Sequence, residues 1–316
     1  MGAQNTADAW PSLPYGDWKD TCQTLQLWTQ IVGKVRLAQT PWLNHSWHVP
    51  LYVTARGLTT GLIPHGPRSF DMAFDFVRQA LSIQSSDGGE RVIELRAMSV
   101  AMFFGAVRHA LGDLNLEVEI DGAPNEMAEA IPFRLDRAVR PYDPAMAERF
   151  WRVLVQAHRV FSQFRTGFLG KSSPTHFFWG SFDLAVTRFS GRRAPAHPGG
   201  VPHLPDAVAR EAYSHEVSSA GFWPGGGAID YPAFYSYAYP EPPGFRTAPV
   251  APAGAVYSAE LGEFLLPYDL VRSATDPDQA LLAFLTSTYA AAADLAGWDR
   301  ASLECAIGQP GVVRPT

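Results

Sequence analysis

Four stretches of the chain place apolar residues at the helical spacing of three or four positions, which predicts four main helices. The first covers residues 17–39, and the last ends near Gly297. Ser and Asp favour the position before a helix, and Pro fits the first helical position. The expected N-caps are Asp17, Ser99, Asp143 and Asp276, the last two each followed by Pro.

Shorter segments between these helices alternate apolar and polar residues or run apolar, as strands do. The segment 176–189 is expected to be one strand, either continuous or with a bulge at Gly180, and Asp87-Gly88-Gly89 predicts a hairpin turn. Runs of sequential strands flanked by helices favour local antiparallel pairing over alternating parallel units. The pattern therefore predicts an α+β fold with mixed, mainly antiparallel sheets flanked by the four main helices.

The order of helix, strands and helix occurs twice, which raises the possibility of an internal duplication. Arg56 and Arg188 each follow a tryptophan by nine residues, near the end of a predicted strand. Chance alignment of two strands with this composition explains the likeness equally well. We expect one domain over residues 10–300, with pseudo-repeat halves 14–125 and 140–300 as one alternative. Residues 1–9 and 301–316 are expected to be flexible tails.

Composition narrows the class of protein. The formal net charge is −6, and the absence of a basic run argues against nucleic acid as a partner. Cys22 and Cys305 are too few for a disulfide framework or a thiolate metal site. The N-terminal residues lack a signal-peptide pattern, and no apolar run free of charged residues is long enough to cross a membrane. We therefore expect a soluble cytoplasmic protein that does not bind membranes.

Residues 175–195, THFFWGSFDLAVTRFSGRRAP, combine aromatic side chains with His176, Asp183 and three arginines. Aspartate is depleted in strands, and a buried carboxylate needs a partner. Arg188 and the two arginines that follow it are the candidates. If the strand is continuous, Asp183 shares a face with Trp179, and His176 and Arg188 share the other face. A structural Asp–Arg pair and a functional carboxylate both fit this pattern.

Three segments contribute histidines beside aromatic or glycine-rich sequence: NHSWH, THFFW and SHEVSS. Imidazole is the commonest protein ligand of metals, so His45, His48, His176 and His215 are candidate ligands of a divalent transition metal, Zn or Fe. Structural histidines with hydrogen-bonded rings are the alternative. His215 and Glu216 are adjacent in a predicted strand and must face opposite sides, so only one of them can face a pocket.

Several common motifs are missing from the sequence. It has no Gly-x-Ser-x-Gly, no His-Glu-x-x-His, no Cys-x-x-Cys and no phosphate-binding glycine spacing. The common serine-hydrolase, zinc-peptidase, dithiol redox and nucleotide-binding activities therefore lose most of their support.

The segments from Trp10 to Thr60, from His176 to Pro195 and from Glu211 to Gly227 resemble the uncharacterised family called domain of unknown function 5996. The resemblance extends from about Trp10 to Arg300. It implies a single full-length domain of bacterial type. It implies no reaction, cofactor or catalytic residue.

Two functions from different classes fit the sequence. The first is an enzyme for a small molecule, in which His176, Asp183, His215 and Glu216 act as acid, base or metal ligands, with Glu263 as a further carboxylate. The second is a binding module without chemistry, in which an arginine holds an anionic group of the ligand. The residues expected to bind the small molecule in either case are Trp179, Trp223 and Tyr235, with Arg188 or Arg56 as the anchor.

Overall fold

The computed structural model describes residues 9–127 and 129–314, and it confirms an α+β fold. Long helices and antiparallel sheets alternate along these residues, as the hydrophobic pattern predicts. The helices are α1 (Tyr15–Gln39), α2 (Val100–Asp113), α3 (Pro144–Thr166), α4 (Asp206–Ala212), α5 (Tyr268–Arg272), α6 (Pro277–Leu295) and α7 (Arg300–Leu303).

Three of the four predicted N-caps are confirmed. The Ser99 side chain accepts a hydrogen bond from Met102 N, and Asp143 and Asp276 cap α3 and α6 in the same way. The fourth prediction is wrong because α1 begins at Tyr15 after Pro14, which leaves Asp17 inside the first turn. A carboxylate there still favours the helix, since it lies near the positive end of the helix dipole.

The first sheet is formed by strands that lie between α1 and α2 in sequence. All of its neighbours pair antiparallel, in the order β1-β2-β4-β5-β6 with β3 beside β4. Gly88, at φ 91°, lies in the predicted hairpin turn between β5 and β6. The strands are β1 (Tyr52–Val53), β2 (Gly57–Thr59), β3 (Ile63–His65), β4 (Arg68–Asp75), β5 (Ala80–Ser85) and β6 (Glu90–Glu94).

The second sheet follows α3 and is also antiparallel, in the order β13-β14-β12-β11-β10-β9. A separate two-stranded sheet pairs β7 (Met98–Ser99) with β8 (Val139–Arg140). The strands of the second sheet are β9 (His176–Phe178), β10 (Asp183–Arg193), β11 (His215–Trp223), β12 (Ala233–Tyr239), β13 (Val256–Ser258) and β14 (Glu263–Pro267).

The segment 176–189 is a hairpin, and the prediction of one strand, continuous or bulged, is wrong. β9 ends at Phe178 and β10 begins at Asp183, with the two residues directly paired. Between them Phe182 has a φ of 62°, a left-handed conformation that reverses the chain. The turn brings His176 opposite Ala185, and it therefore decides which side chains of this segment share a face.

Helix α1 ties the two sheets together. Its Trp28 stacks on Phe103 of α2 at 4.7 Å, and its Trp18 stacks on Phe150 of α3 at 4.8 Å. All four rings are fully buried, and each such aromatic side chain adds a large apolar contact area. Helices α3 and α6 cover one face of the second sheet, which leaves the other face free to form a site.

The structure describes more of the predicted C-terminal tail than of the predicted N-terminal tail. The segment predicted as a C-terminal tail begins within α7, and the carbonyl of Leu303 accepts a hydrogen bond from Leu169 N at 2.7 Å. Residues 1–8, which hold most of the predicted N-terminal tail, lie outside the described residues. Within residues 9–127 and 129–314, none of the helices has the length and apolarity needed to cross a membrane.

Candidate active site

A cavity of about 880 Å³ lies on the face of the second sheet away from α3 and α6. Its floor consists of alternate residues of three neighbouring strands, because side chains at i and i+2 project to the same face. The antiparallel register places Thr187, Ser219 and Tyr237 side by side across these strands. The floor residues are Asp183, Ala185, Thr187 and Phe189 of β10, Val217 and Ser219 of β11, and Tyr235 and Tyr237 of β12.

Asp183 is the buried carboxyl group of this floor. It is the first residue of β10, and the hydroxyls of Ser181 and Tyr235 donate hydrogen bonds to its two oxygens. Burial raises the pKa of Asp183, and the two hydrogen bonds counter part of this rise because they favour the charged form. The predicted Asp–Arg pair is not formed, since hydroxyl groups take the place of arginine.

Two further carboxyl groups line the same cavity. Glu126 belongs to the segment between α2 and β8, and Glu263 is the first residue of β14. Burial, the larger cause, and the negative charge of Asp183 together raise the pKa of each to about 7. The charge of Asp183 thus acts on both glutamates, because like charges that share one cavity disfavour each other's ionised form.

Glu126 is held in the cavity by contacts from three parts of the chain. The Gln30 side-chain amide of α1 donates to Asn125 O (2.9 Å) and accepts from Asn125 N (2.7 Å). Glu126 N donates to Pro202 O at 2.9 Å. The Glu126 carboxyl group lies against Gly180, where any Cβ would overlap Oε1. Glycine at position 180 is therefore what allows the close approach.

Hydroxyl groups continue from the carboxyls across the floor. Thr187 Oγ1 lies 2.9 Å from Ser219 Oγ, and Tyr213 Oη lies 2.8 Å from Tyr237 Oη. Burial raises the pKa of Tyr235 and Tyr237 well above the usual value. Both phenols therefore stay protonated at neutral pH. The Tyr235 hydroxyl donates to Asp183, whereas one hydroxyl of the Tyr213–Tyr237 pair keeps its proton free to donate to a bound molecule.

Gly221 of β11 leaves room for the Tyr235 ring. It is paired with Tyr235, and a Cβ at position 221 would overlap Cζ and Oη of that ring as well as the Leu184 carbonyl oxygen. We expect Gly221→Ala to lower the free energy of unfolding by about 2 kcal/mol, because the ring and the strand must move apart. Urea unfolding measures this loss.

The matched control for that experiment is Gly105→Ala. Gly105 is an exposed helical residue with no atom within 4 Å of its added Cβ. This change should stabilise the protein by up to about 1 kcal/mol, since alanine is the better helix former. Equal tolerance of the two substitutions would contradict the assigned position of Tyr235.

His176 also faces the cavity, and its ring nitrogens have no hydrogen-bond partner among the described residues. The side chain is 1% exposed, and neither ring nitrogen makes a hydrogen bond. Burial lowers the pKa of His176 to about 3, helped by the charges of Arg165 and Arg36. The imidazole is thus neutral, with one N–H donor and one lone pair left for a bound molecule.

His45 lies at the rim of the cavity and is already hydrogen-bonded. Its Nδ1 is 2.8 Å from Ala212 O and its Nε2 is 2.6 Å from Lys171 Nζ, so Nδ1 carries the proton and Nε2 accepts from the ammonium group. The ring packs on Phe189 with centroids 4.6 Å apart. Burial lowers the pKa of His45, which keeps the ring neutral.

The structure does not gather the four candidate metal-binding histidines at one point. The rings of His45 and His215 are 6.0 Å apart, and Trp47 contacts both His45 and His176. His48 contacts the backbone of Leu43. In the part of the chain that the structure describes, no group of three or more His, Cys, Asp or Glu side chains has an arrangement suited to a metal ion.

Four other residues singled out from the sequence lie away from the cavity. Arg188 projects to the opposite face of the sheet, where its guanidinium group lies 3.5 Å from the centroid of Phe164 and donates to Phe164 O. Arg56 forms an ion pair with Asp75 at the surface. The last two are Glu216, which pairs with Arg192 at 2.7 Å, and Trp179, whose Nε1 donates to Val49 O at 2.9 Å.

The cavity thus contains some of the site residues that were predicted from the sequence. Sequence reasoning weighed Glu263 but did not find Glu126 or Tyr213, because neither belongs to a motif and both come from segments outside the strands. The predicted residues that line the cavity are His45, His176, Asp183, Trp223 and Tyr235.

Comparison with known proteins identifies the family and nothing more specific. No curated protein matches the chain, and no solved structure does. The model of the family described as "Family of unknown function (DUF5996)" matches residues 10–305, nearly the whole sequence. The chain therefore belongs to the DUF5996 family.

Proposed function

We propose that the protein is an enzyme that binds a small molecule in this cavity and transfers protons to and from it through carboxyl groups. The observation that carries the proposal is the meeting of Glu126, Asp183 and Glu263 in one cavity. A general acid or base works best when its pKa lies near the working pH. Glu126 and Glu263 meet this condition, since burial and the neighbouring carboxyl raise the pKa of each to about 7.

The proposal divides the work among three kinds of group. Glu126 and Glu263 exchange protons with the substrate. Asp183 accepts hydrogen bonds from Ser181 and Tyr235, which fix its position. Its negative charge tunes the pKa values of the two glutamates. Phenol O–H groups and the neutral ring of His176 orient the substrate and stabilise charge that develops on it.

A second candidate function is binding without turnover. The observation that favours it is the aromatic wall of the cavity, which includes Trp47, Phe178 and Trp223. Ligand sites are typically lined by such rings with a few polar groups among them. The arginine anchor expected from the sequence is not part of this version, because Arg188 and Arg56 lie elsewhere.

The test of the enzyme proposal is conversion of a compound by the purified protein. A bacterial small-molecule extract is incubated with the wild type, with Glu126→Gln and with the control Glu216→Gln, and is compared by mass spectrometry. We expect a substrate–product pair with the wild type and the control, and none with Glu126→Gln. A compound that is retained by the protein and never converted would replace the enzyme proposal with the binding candidate.

A further inference from the structure

The charges that line the cavity are strongly unbalanced. Among the described lining residues, five carry carboxyl groups and Arg140 carries a guanidinium group. Arg140 is already neutralised, since its Nη2 lies 2.6 Å from Asp136 Oδ2. A second cation, Lys171, lies behind Trp47 and Phe189 and does not line the cavity. The carboxyl groups are Glu126, Glu129, Asp136, Asp183 and Glu263.

A second observation, the unpaired ring of His176, points to a molecule bound in the cavity. His176 is buried with both ring nitrogens unpaired, and a buried N–H without an acceptor costs about 1–3 kcal/mol. Protein interiors keep such groups when another molecule completes them. The orphaned imidazole and the carboxyl cluster belong to the same cavity.

Two aromatic rings that line the cavity, Trp47 and Phe189, already contact the ammonium group of Lys171. The Nζ atom of Lys171 lies 5.2 Å from the Trp47 ring centroid and 4.9 Å from that of Phe189. Such ammonium–ring contacts are attractive because the face of an aromatic ring is electron-rich. Both rings line the cavity, so a cationic ligand meets the same kind of surface from inside.

We propose that the molecule bound in this cavity carries an ammonium group, which the carboxylates of Glu126, Asp183 and Glu263 neutralise and the aromatic wall contacts. This inference rests on the proposed function, because it names the substrate class of the same cavity. An anion would be repelled by the carboxylates. A neutral polyol would leave their mutual repulsion in place, whereas a cation removes it.

Binding of a cation should strengthen as the pH rises through about 7. The cation favours ionised carboxyl groups, so Glu126 and Glu263 release protons when it binds, and above about pH 7 they are already ionised. The other titratable groups at the cavity do not reverse this sign. The pKa values of His45 and His176 are lowered, and loss of a proton from either ring as the pH rises would itself favour a cation. The pKa values of Tyr15, Cys22, Tyr213, Tyr235 and Tyr237 are raised, so these groups stay neutral.

The test compares cations with neutral molecules of the same shape. Choline is paired with dimethylbutanol, its uncharged carbon isostere, and diaminobutane is paired with butanediol. Isothermal titration with the full chain at about pH 6 and about pH 8 should show at least one cation binding about tenfold more tightly than its neutral partner, with the difference larger at the higher pH. Equal binding within both pairs, or a preference that is independent of pH, would overturn the inference.

Two substitutions localise the effect. Glu263→Gln keeps the shape of the side chain and removes its charge, so it should weaken binding of the cation severalfold and leave the neutral partner unaffected. Glu216→Gln removes a carboxylate from the opposite face of β11 and should change neither. If both variants bind the cation as the wild type does, the ammonium group is not held in the cavity and the inference fails.

The outcomes also separate this inference from the proposed function. Cation binding without conversion of any compound would keep the ammonium site and reject the enzyme. Conversion of a neutral compound by a protein that does not prefer cations would keep the enzyme and reject the ammonium site.

Discussion

Glu263→Gln is expected to stabilise the protein by about 2 kcal/mol at about pH 8 and by less than about 1 kcal/mol at about pH 5. At the lower pH the buried carboxyl group is protonated, and a neutral amide of the same shape replaces it at little cost. At the higher pH the wild type holds a charge that burial and the field of Asp183 disfavour. The substitution removes that charge and the penalty that it carries.

The pH window follows from the two pKa values. The pKa of Glu263 is about 7 in the folded protein, whereas the unfolded chain has the ordinary value of 4.5. Between these values the folded protein binds more protons than the unfolded chain, so stability decreases as the pH rises. The full difference corresponds to about 3 kcal/mol, and the partial exposure of the side chain reduces the expected effect to about 2 kcal/mol.

Urea unfolding at the two pH values measures this effect, with Glu216→Gln as the matched control. Glu216 is a half-buried carboxylate that forms an ion pair with Arg192, so its replacement should cost about 1 kcal/mol and should not stabilise the protein at either pH. A Glu263→Gln variant that gains no more stability at about pH 8 than at about pH 5 would show that Glu263 is not a raised-pKa acid.

Local signals in the sequence were sufficient to predict where three of the four main helices begin. Ser99, Asp143 and Asp276 cap helices through hydrogen bonds that reach only two or three residues along the chain, so the sequence around each position determines them. The start of α1 was missed because Pro14 precedes the helix without a side-chain cap. The α+β class followed from the order of helices and strands, which also depends on neighbouring residues.

The hairpin at 176–189 shows where the period of two fails. A continuous strand would put Asp183 on the face opposite His176. The four residues between β9 and β10 instead reverse the chain, so the alternation of faces does not continue from one strand into the next. Directly paired residues of antiparallel strands project to the same side, so His176 and Asp183 both face the cavity. The left-handed φ that makes this turn belongs to Phe182 and not to Gly180, so the glycine in the sequence does not mark the residue at which the chain reverses.

The position of Glu126 depended on contacts that no local pattern encodes. Its segment is held by Gln30, almost a hundred residues earlier, and by Pro202, more than seventy residues later. Hydrogen bonds over such separations are properties of the folded chain. Arg188 is the converse case: its spacing suggested a ligand anchor, but three aromatic rings and a carbonyl oxygen enclose it on the other face.

Asp183→Asn is expected to lower turnover of the substrate at neutral pH by about tenfold, because it removes the smaller of the two causes that raise the pKa values of the glutamates. Asparagine keeps the shape of the side chain and an oxygen that can accept from the Tyr235 hydroxyl. The neighbouring negative charge is lost, so the pKa values of Glu126 and Glu263 fall part of the way towards the ordinary value, because burial still raises them, and a smaller fraction of each group holds a proton at neutral pH.

The pH dependence of turnover distinguishes this tuning role from a structural one. Because the pKa values of the two glutamates fall, the limb of the rate profile that lies near pH 7 in the wild type should move to lower pH in Asp183→Asn. Tyr235→Phe, which removes one hydrogen bond from Asp183 but keeps its charge, should retain the wild-type limb. A lower rate with an unshifted profile in Asp183→Asn would assign Asp183 to the framework of the cavity, because loss of packing slows the reaction without changing which protons the glutamates hold.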